Sequence, residues 1–312
     1  MNNVITGVPP RFTSLMSQAP DSVRNWFLYP YHTLASPIIV GGCGRSGTNL
    51  MRAILDSHPQ ICCGPETNLF SLDIPPLPLT QPFMISDTLP KRLSWLYDLS
   101  EYEVEKLWRN CCCLAEFIEC FFYLNCNKQR ATIWAEKTPG NIQNLDWIFY
   151  YWPKARVIHM IRDGRDVACS LRYHPKFALI DGTIQRTNKI NKIDDCLKRW
   201  IRNVRAGRVW LGKPNYYEVR YEDIVTAPQE TLTDLFDWLK IDWDPCVLKF
   251  HEVPRELEKD PNAEGFQRPL YSSSISRWTR ELSYEELLTA RKLAGDLLAE
   301  LGYASAHWSR DV

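Results

Sequence analysis

The sequence predicts an α/β fold, a single domain in which a central parallel sheet is flanked by helices. Three observations predict it. Short runs rich in β-formers alternate with segments of helical spacing along most of the chain, the pattern of strands joined by crossover helices. A glycine-rich turn, Gly42-Cys-Gly-Arg-Ser-Gly-Thr48, sits between an apolar run and a helical stripe. Cations stand at the ends of three predicted strands: Arg45 and Lys137 follow the first and second, and Arg162 closes the third.

Residues 1–35 are an aromatic-rich lead-in (Trp26, Phe27, Tyr29, Tyr31), expected to pack on a domain spanning 36–305, with 306–312 as a tail. The first strand covers 37–42. A helix to residue 57 follows, with Leu50, Met51, Ile54 and Leu55 on one face. Four prolines within 73–82 remove donors and fix φ, so this stretch reads as a surface loop. Residues 104–123 read as one core helix containing Cys111-Cys112-Cys113. The second strand is 131–136, helical spacing covers 141–152, and the third strand is 156–162, leading through a turn into a helix that carries Ser170. A long amphipathic helix at 193–210 precedes the fourth strand, 216–221. Thr226-x-x-Gln229 and Ser283-x-x-Glu286 both have the form of a capping box. The final helix turns Leu287, Ala290, Ala294, Leu297 and Leu301 inward, and Gly302 is placed to stop it.

Lysine plus arginine and aspartate plus glutamate number 37 each in 312 residues. That balance argues against nucleic acid or an anionic membrane as the main partner, so any anion site is a local cluster of cations. The first residues lack the basic and apolar regions of a signal peptide, and no run of about 18 apolar residues suggests a membrane span. A cytoplasmic location is expected. The 11 cysteines are expected as reduced thiols. Neither C-x-x-C nor H-x-x-x-H spacing occurs, so no metal site is expected.

In a parallel sheet, ligands lie beyond the carboxyl ends of the strands, where backbone N–H groups and helix N-termini point outward. Arg45, Lys137 and Arg162 at equivalent ends would make an electropositive crevice for a multiply charged anion. The loop offers close backbone approach at its glycines but has Gly47-Thr48-Asn49 where a nucleoside-triphosphate loop carries Gly-Lys-Ser/Thr. With no Mg²⁺-binding aspartate evident after a strand, a kinase or NTPase is disfavoured; a non-catalytic nucleotide-binding protein is a further alternative.

At Gly42–Thr48 the sequence resembles the sulfotransferases that use 3′-phosphoadenosine 5′-phosphosulfate (PAPS), whose phosphosulfate loop is a Walker-like turn without the lysine. A second motif of that family, a strand-ending arginine with serine eight residues later, reads "VIHMIRDGRDVACS" and gives Arg162 and Ser170. A guanidinium fork and a hydroxyl suit a dianionic 3′-phosphate. Within the family the resemblance is to the tyrosylprotein sulfotransferase branch and its bacterial relatives, over residues 37–303, strongest in these two motifs and weakest at 70–130 and 175–192. It implies a P-loop NTPase-like sulfotransferase fold, with PAPS as co-substrate, PAP as product and no metal.

The resemblance also implies residue roles. Arg45, Ser46, Gly47, Thr48 and Asn49 would hold the phosphosulfate end, and Arg162 and Ser170 the 3′-phosphate. Tyr221 in "VRYEDIV" would lie beside the nucleotide, and Arg277 in "SISRW" would close over it. Glu66 in "CGPETN" matches the general base, and Lys137 in "AEKTPG" matches the lysine that contacts the leaving group. Glu136 is a rival base, but strand alternation turns it away from the Lys137 face. Departures from the branch are Asn49 for a threonine, His174 for an arginine, and Asn262 nearest to a catalytic serine. The branch's membrane anchor and paired cysteines are not recognisable. The expected reaction is sulfuryl transfer from PAPS to a hydroxyl or amine of a small-molecule or natural-product acceptor, with residues 70–130 and 175–192 walling its pocket. Protein tyrosine and glycan are the alternative acceptors.

Overall fold

A computed structural model describes residues 31, 33–70, 88–174, 176–180, 183–187, 190–254 and 268–303. Five strands build one sheet: β1 (Ile38–Gly42), β2 (Ile61–Cys63), β3 (Ile133–Lys137), β4 (Arg156–Ile161) and β7 (Tyr216–Arg220). Their order is β2-β3-β1-β4-β7, and every pairing is parallel. The register sets Val40 beside Lys137, Gly42 beside Met160, and Ile161 beside Arg220, so the carboxyl ends of the central strands lie along one edge. A separate antiparallel pair, β5 (Lys176–Ile180) and β6 (Thr183–Thr187), lies outside this sheet.

Both sheet faces are covered. Ile39, Trp134 and Val157 face one side, against α4 (Leu114–Gln129) and α5 (Leu145–Tyr151). Ile38, Val40, Ala135 and Ile158 face the other, against α1 (Thr48–Asp56) and α9 (Pro228–Leu239). This period-two alternation sends successive side chains to opposite faces, and the central strand β1 is apolar and buried along its whole length because both of its faces are covered. A third cluster joins α6 (Gly164–Arg172), α7 (Ile193–Arg208) and α11 (Tyr284–Glu300) beside the sheet. The chain leaves β1 towards β2 on one side and leaves β4 towards β7 on the other. The gap between β1 and β4 is therefore the topological switch point, where such sheets form a crevice.

The predicted strands appear at their expected places, shifted by one or two residues. Three readings need correction. The single helix over 104–123 is two, α3 (Glu101–Asn110) and α4, broken at Cys111-Cys112-Cys113. Ser100 and Glu103 cap α3 reciprocally, and Cys113 caps α4 by accepting the Glu116 N–H at its Sγ. Val104 is the buried residue of α3 whereas α4 buries Phe117, Ile118, Phe121 and Phe122, and the break lets each helix meet the core on its own axis. The donor atoms of Cys112, Cys113 and Glu116 lie within 4.8 Å of one another, a proximity this cap produces by itself. All 11 cysteines are free thiols.

The second correction concerns Thr226, which caps nothing. It ends α8 (Tyr221–Thr226), and its Oγ1 donates to the Glu222 carbonyl at 2.9 Å. Pro228 opens α9 at its first position, where a missing N–H costs nothing, and this places Gln229 one residue too early for a box. Third, β2 is a strand of three residues, too short to show a period, and the sequence reading did not include it. By contrast the Ser283–Glu286 box forms as expected, Leu287, Ala290, Ala294 and Leu297 are buried, and Gly302 (φ 75°) ends α11.

Candidate active site

The loop after β1 turns back sharply, with the Ser46 N–H donating to the Cys43 carbonyl at 3.1 Å. Gly47 follows in the left-handed region at φ 89°, and a Cβ there would come within 2.7 Å of the Tyr221 ring. Glycine is therefore required on two counts, conformation and contact. Arg45 is also left-handed, at φ 74°, an unfavourable conformation for a residue with a Cβ that the surrounding contacts hold in place.

Those contacts join the two sequence motifs. Arg45 Nε donates to Ser170 Oγ at 2.9 Å, and Arg162 Nη1 donates to the Arg45 carbonyl at 2.9 Å. Arg162 Nη2 donates to the Ser274 carbonyl at 2.5 Å, and its guanidinium lies 4.4 Å from the centre of the Tyr221 ring. Around them a cavity of about 390 Å³ opens, lined by Arg45, Gly47, Thr48, Asn49, Arg162, Ser170, Tyr221 and Arg277 among others. Burial, and then the neighbouring Arg162 and Arg277 guanidiniums, hold the Arg45 pKa below its usual value. Arg277 is partly compensated by a two-point ion pair with Glu281 at 2.8 and 2.9 Å. Two buried atoms at this end, Ser46 Oγ and Arg162 Nε, have no hydrogen-bond partner among the described residues. Clustered cations and these buried donors give the crevice the chemistry to hold an anion.

Beside this cavity, Lys137 is buried at the end of β3 at 1% exposure. Its Nζ meets both Asn49 Oδ1 and Glu66 Oε1. Asn49 lines the cavity, so Lys137 and Glu66 adjoin it through one side chain. The Glu66 side chain is about one-third exposed, so a carboxylate reaches solvent next to a buried ammonium. Glu136 faces the other way, buried beneath the 66–68 segment, with Thr67, Thr138 and Asn141 around its carboxylate. Alternation along β3 had separated these two residues correctly.

Every site residue expected from the sequence falls in this region: Arg45, Ser46, Gly47, Thr48, Asn49, Glu66, Lys137, Arg162, Ser170, Tyr221 and Arg277. His174 is exposed and does not line the cavity, and Asn262 lies outside the described residues. Sequence reasoning missed Arg268, Tyr271 and Ser274, which line the cavity, with the Arg268 guanidinium 4.4 Å from the Tyr271 ring centre. They belong to a segment without periodicity, where an arginine three residues before a tyrosine carries no signal of its own. Asp166 was also missed. Its carboxylate accepts the N–H groups of Ser276 at 2.8 Å and Trp278 at 3.0 Å, tying the segment that bears Arg277 to α6. Burial raises its pKa to about 6.

The expected acceptor wall needs a partial correction. Of the aromatic residues in 88–130, Phe117, Phe121 and Phe122 pack into the core rather than the cavity. Tyr97 of α2 (Thr88–Tyr97) does reach the site: its hydroxyl donates to the Pro65 carbonyl at 2.8 Å, next to Glu66. Residues 71–87 lie outside the described residues.

The fold is a P-loop-like parallel α/β sheet with a cation-lined crevice at its strand ends. A model of the sulfotransferase family matches residues 37–245, and the chain belongs to that family. It is 25% identical over 299 residues to protein-tyrosine sulfotransferase of Drosophila melanogaster, covering 89% of this chain and 54% of the relative. It is 26% identical over 295 residues to protein-tyrosine sulfotransferase 2 of Gallus gallus, covering 88% of this chain and 71% of the relative. The chain thus spans about half the length of the fly protein. Among solved structures, the sulfotransferase domain from the curacin biosynthetic pathway superposes with TM-score 0.61 at 15% identity, covering 88% of this chain and all (100%) of that one. The sulfotransferase domain of the Synechococcus PCC 7002 olefin synthase gives 0.57 at 19% identity, covering 85% and 96%. These likenesses establish the shared fold. No helix among the described residues is long and apolar enough to cross a membrane.

Proposed function

We propose that the protein transfers the sulfuryl group of PAPS to a hydroxyl or amine of a small-molecule acceptor. The single observation that carries this reading is the joining of Arg45, Arg162 and Ser170 at one strand-end crevice, next to the Lys137–Glu66 pair. Arg162 and Ser170 would receive the 3′-phosphate. Arg45 and the loop amides through Asn49 would receive the phosphosulfate, Tyr221 would lie beside the nucleotide, and Arg277 would close over it.

The reaction breaks the S–O bond to the departing phosphate and forms a new bond from sulfur to the acceptor atom. The acceptor proton passes to Glu66, and the electron pair of the broken bond stays on the PAP oxygen. Lys137 opposes that growing charge. Glu66 and Lys137 hold each other in the donor-free protein. A phosphosulfate competes for the ammonium and leaves Glu66 free to take a proton. Positioning and electrostatics carry the chemistry, as in phosphoryl transfer, and the chain's own residues supply both without a metal. The protein-tyrosine sulfotransferases at 25–26% identity favour a second acceptor, a tyrosine hydroxyl of a protein, which would meet the same base. A cytoplasmic location and the 36–305 domain limits are part of this proposal.

The test is ligand-dependent stabilisation followed by transfer. PAP at 100 times its Kd adds about 2.7 kcal/mol to unfolding stability, whereas ATP·Mg²⁺ is expected to add far less. Transfer of ³⁵S from PAPS is then measured against a panel of phenols, alcohols, amines and tyrosine peptides. Stabilisation by ATP·Mg²⁺ alone, or PAP binding without transfer to any class of acceptor, would overturn the reading.

A further inference from the structure

Glu136 is a buried carboxylate beside the site, at 1% exposure, and the chemistry above gives it no part. Its surroundings are specific. Oε1 accepts the Thr67 hydroxyl at 2.9 Å, the Thr67 N–H at 3.4 Å and the Thr138 hydroxyl at 2.6 Å. Oε2 accepts Asn141 Nδ2, which also donates to the Val40 carbonyl at 3.2 Å. Thr138 Oγ1 in turn accepts the Asn68 N–H at 3.2 Å, and Thr67 Oγ1 accepts the Leu69 N–H at 3.2 Å. One carboxylate therefore ties together the end of β3, the segment 66–69, the 3₁₀ turn Pro139–Gln143 and, through Asn141, the end of β1.

Its donors are hydroxyls and amides. The nearest ammonium, that of Lys137, is turned to the opposite face of the strand, towards Asn49 and Glu66. Burying a carboxylate with neutral donors is costly, and burial does raise its pKa while the bonds from Thr138, Asn141 and Thr67 lower it. A packing role could be filled by glutamine or leucine without that cost. What neither supplies is an acceptor-only group that fixes two hydroxyls, an N–H and an amide at once.

We infer that Glu136 is a positioning residue: it anchors Thr67 so that the adjacent Glu66 carboxylate is held against Lys137 at the edge of the crevice. The inference rests on the assignment of Glu66 as base. A glutamine at 136 would turn an NH₂ group towards donors and release Thr67 or Asn141. The crevice at Arg45, Arg162 and Ser170 lies beyond this network and keeps its own bonds. The effect is thus expected on the reaction, with nucleotide affinity spared.

The test compares wild type with Glu136→Gln, Thr67→Val, Glu66→Gln and the double variant Glu66→Gln/Glu136→Gln. Three quantities are read: PAP affinity by calorimetry, amide exchange of Thr67 and Asn68, and release of sulfate from PAPS with water as acceptor. For Glu136→Gln, PAP affinity is expected within threefold of wild type, exchange at Thr67 and Asn68 at least tenfold faster, and sulfate release at least tenfold slower. The double variant is expected to be no slower than Glu66→Gln, because a residue acting through Glu66 has nothing left to position. Thr67→Val removes only the bonds of the Thr67 hydroxyl, to Glu136 and from the Leu69 N–H, and gives the same signs if Glu136→Gln does not fold. Unchanged exchange, a parallel loss of PAP affinity, or a further loss in the double variant would each overturn the inference. A wild-type rate in Glu66→Gln would instead remove the base assignment, and the exchange result would still report whether Glu136 anchors the segment.

Discussion

The crevice between β1 and β4 and the carboxylate hub beneath β3 lie side by side and are built on opposite accounts of charge. At the hub, Glu136 brings one negative group and meets four donor groups from its surroundings. At the crevice, burial and then the charges of Arg162 and Arg277 hold the Arg45 pKa down, and buried donors on Ser46 and Arg162 find no partner among the described residues. The hub is complete without a ligand and the crevice is not. A balanced buried charge fixes geometry, whereas a surplus of like charge defines what the site will bind. Lys137 stands between them, compensated by Glu66 and Asn49 in the free protein and available to a stronger anion when one arrives.

The sharpest way to break this comparison is to separate chemistry from binding. Lys137→Ala is expected to lower turnover by about 10²–10³, the usual cost of one transition-state donor, while PAP affinity changes little. Arg162→Ala is expected to do the reverse. Losing charge-assisted bonds worth about 1.5–3 kcal/mol lowers PAP affinity by about 10–100-fold. Calorimetry with PAP and single-turnover ³⁵S transfer distinguish the two. A Lys137→Ala loss under threefold would remove the lysine from the chemistry. An unchanged PAP affinity in Arg162→Ala would mean that the cation surplus is structural.

Asp166 is the intermediate case, a buried carboxylate that serves the crevice from behind. Its pKa is raised to about 6, by burial first and then by the charge of Asp163. Because the folded value lies above the ordinary 3.8, the folded state binds the proton more tightly than the unfolded chain. Its contribution to stability is therefore full below about pH 4 and is lost as pH rises through about 6. Asp166→Asn removes that titration. The stability of wild type relative to Asp166→Asn is expected to be greater at pH 4 than at pH 7.5, by on the order of 2 kcal/mol. Chemical denaturation at the two pH values measures it. A difference independent of pH would show that Asp166 titrates normally.

What the sequence made legible follows the same division. Strand ends, the glycine turn and the strand-ending cations were readable because period-two apolar runs fix register, and register brings Arg45, Lys137 and Arg162 to one edge. Lys137 and Glu136 could be assigned opposite faces from alternation alone. The rest depended on long-range partners. Nothing local in Thr67 or Asn141 announces a shared carboxylate, and Arg268, Tyr271 and Ser274 reach the cavity from a segment without a period. The 104–123 helix failed for a related reason. Cysteine is seldom considered as a cap, yet Cys113 ends the preceding turn and starts α4.

The smallest expected effect separates a motif that is completed by its partners from one that only has the right spelling. At Ser283 the side chain accepts the Glu286 N–H at 3.3 Å, and Glu286 Oε2 accepts the Ser283 N–H at 2.9 Å. Thr226, of the same form, spends its hydroxyl on the preceding turn because Pro228 has already opened the next helix. Ser283→Ala leaves an N–H of α11 without its acceptor and is expected to cost about 1 kcal/mol. Thr226→Ala removes no cap and is expected to stay within about 0.5 kcal/mol of wild type. Urea denaturation at one pH reads both, and equal costs would mean that α11 draws its stability from Leu287, Ala290 and Leu297 alone.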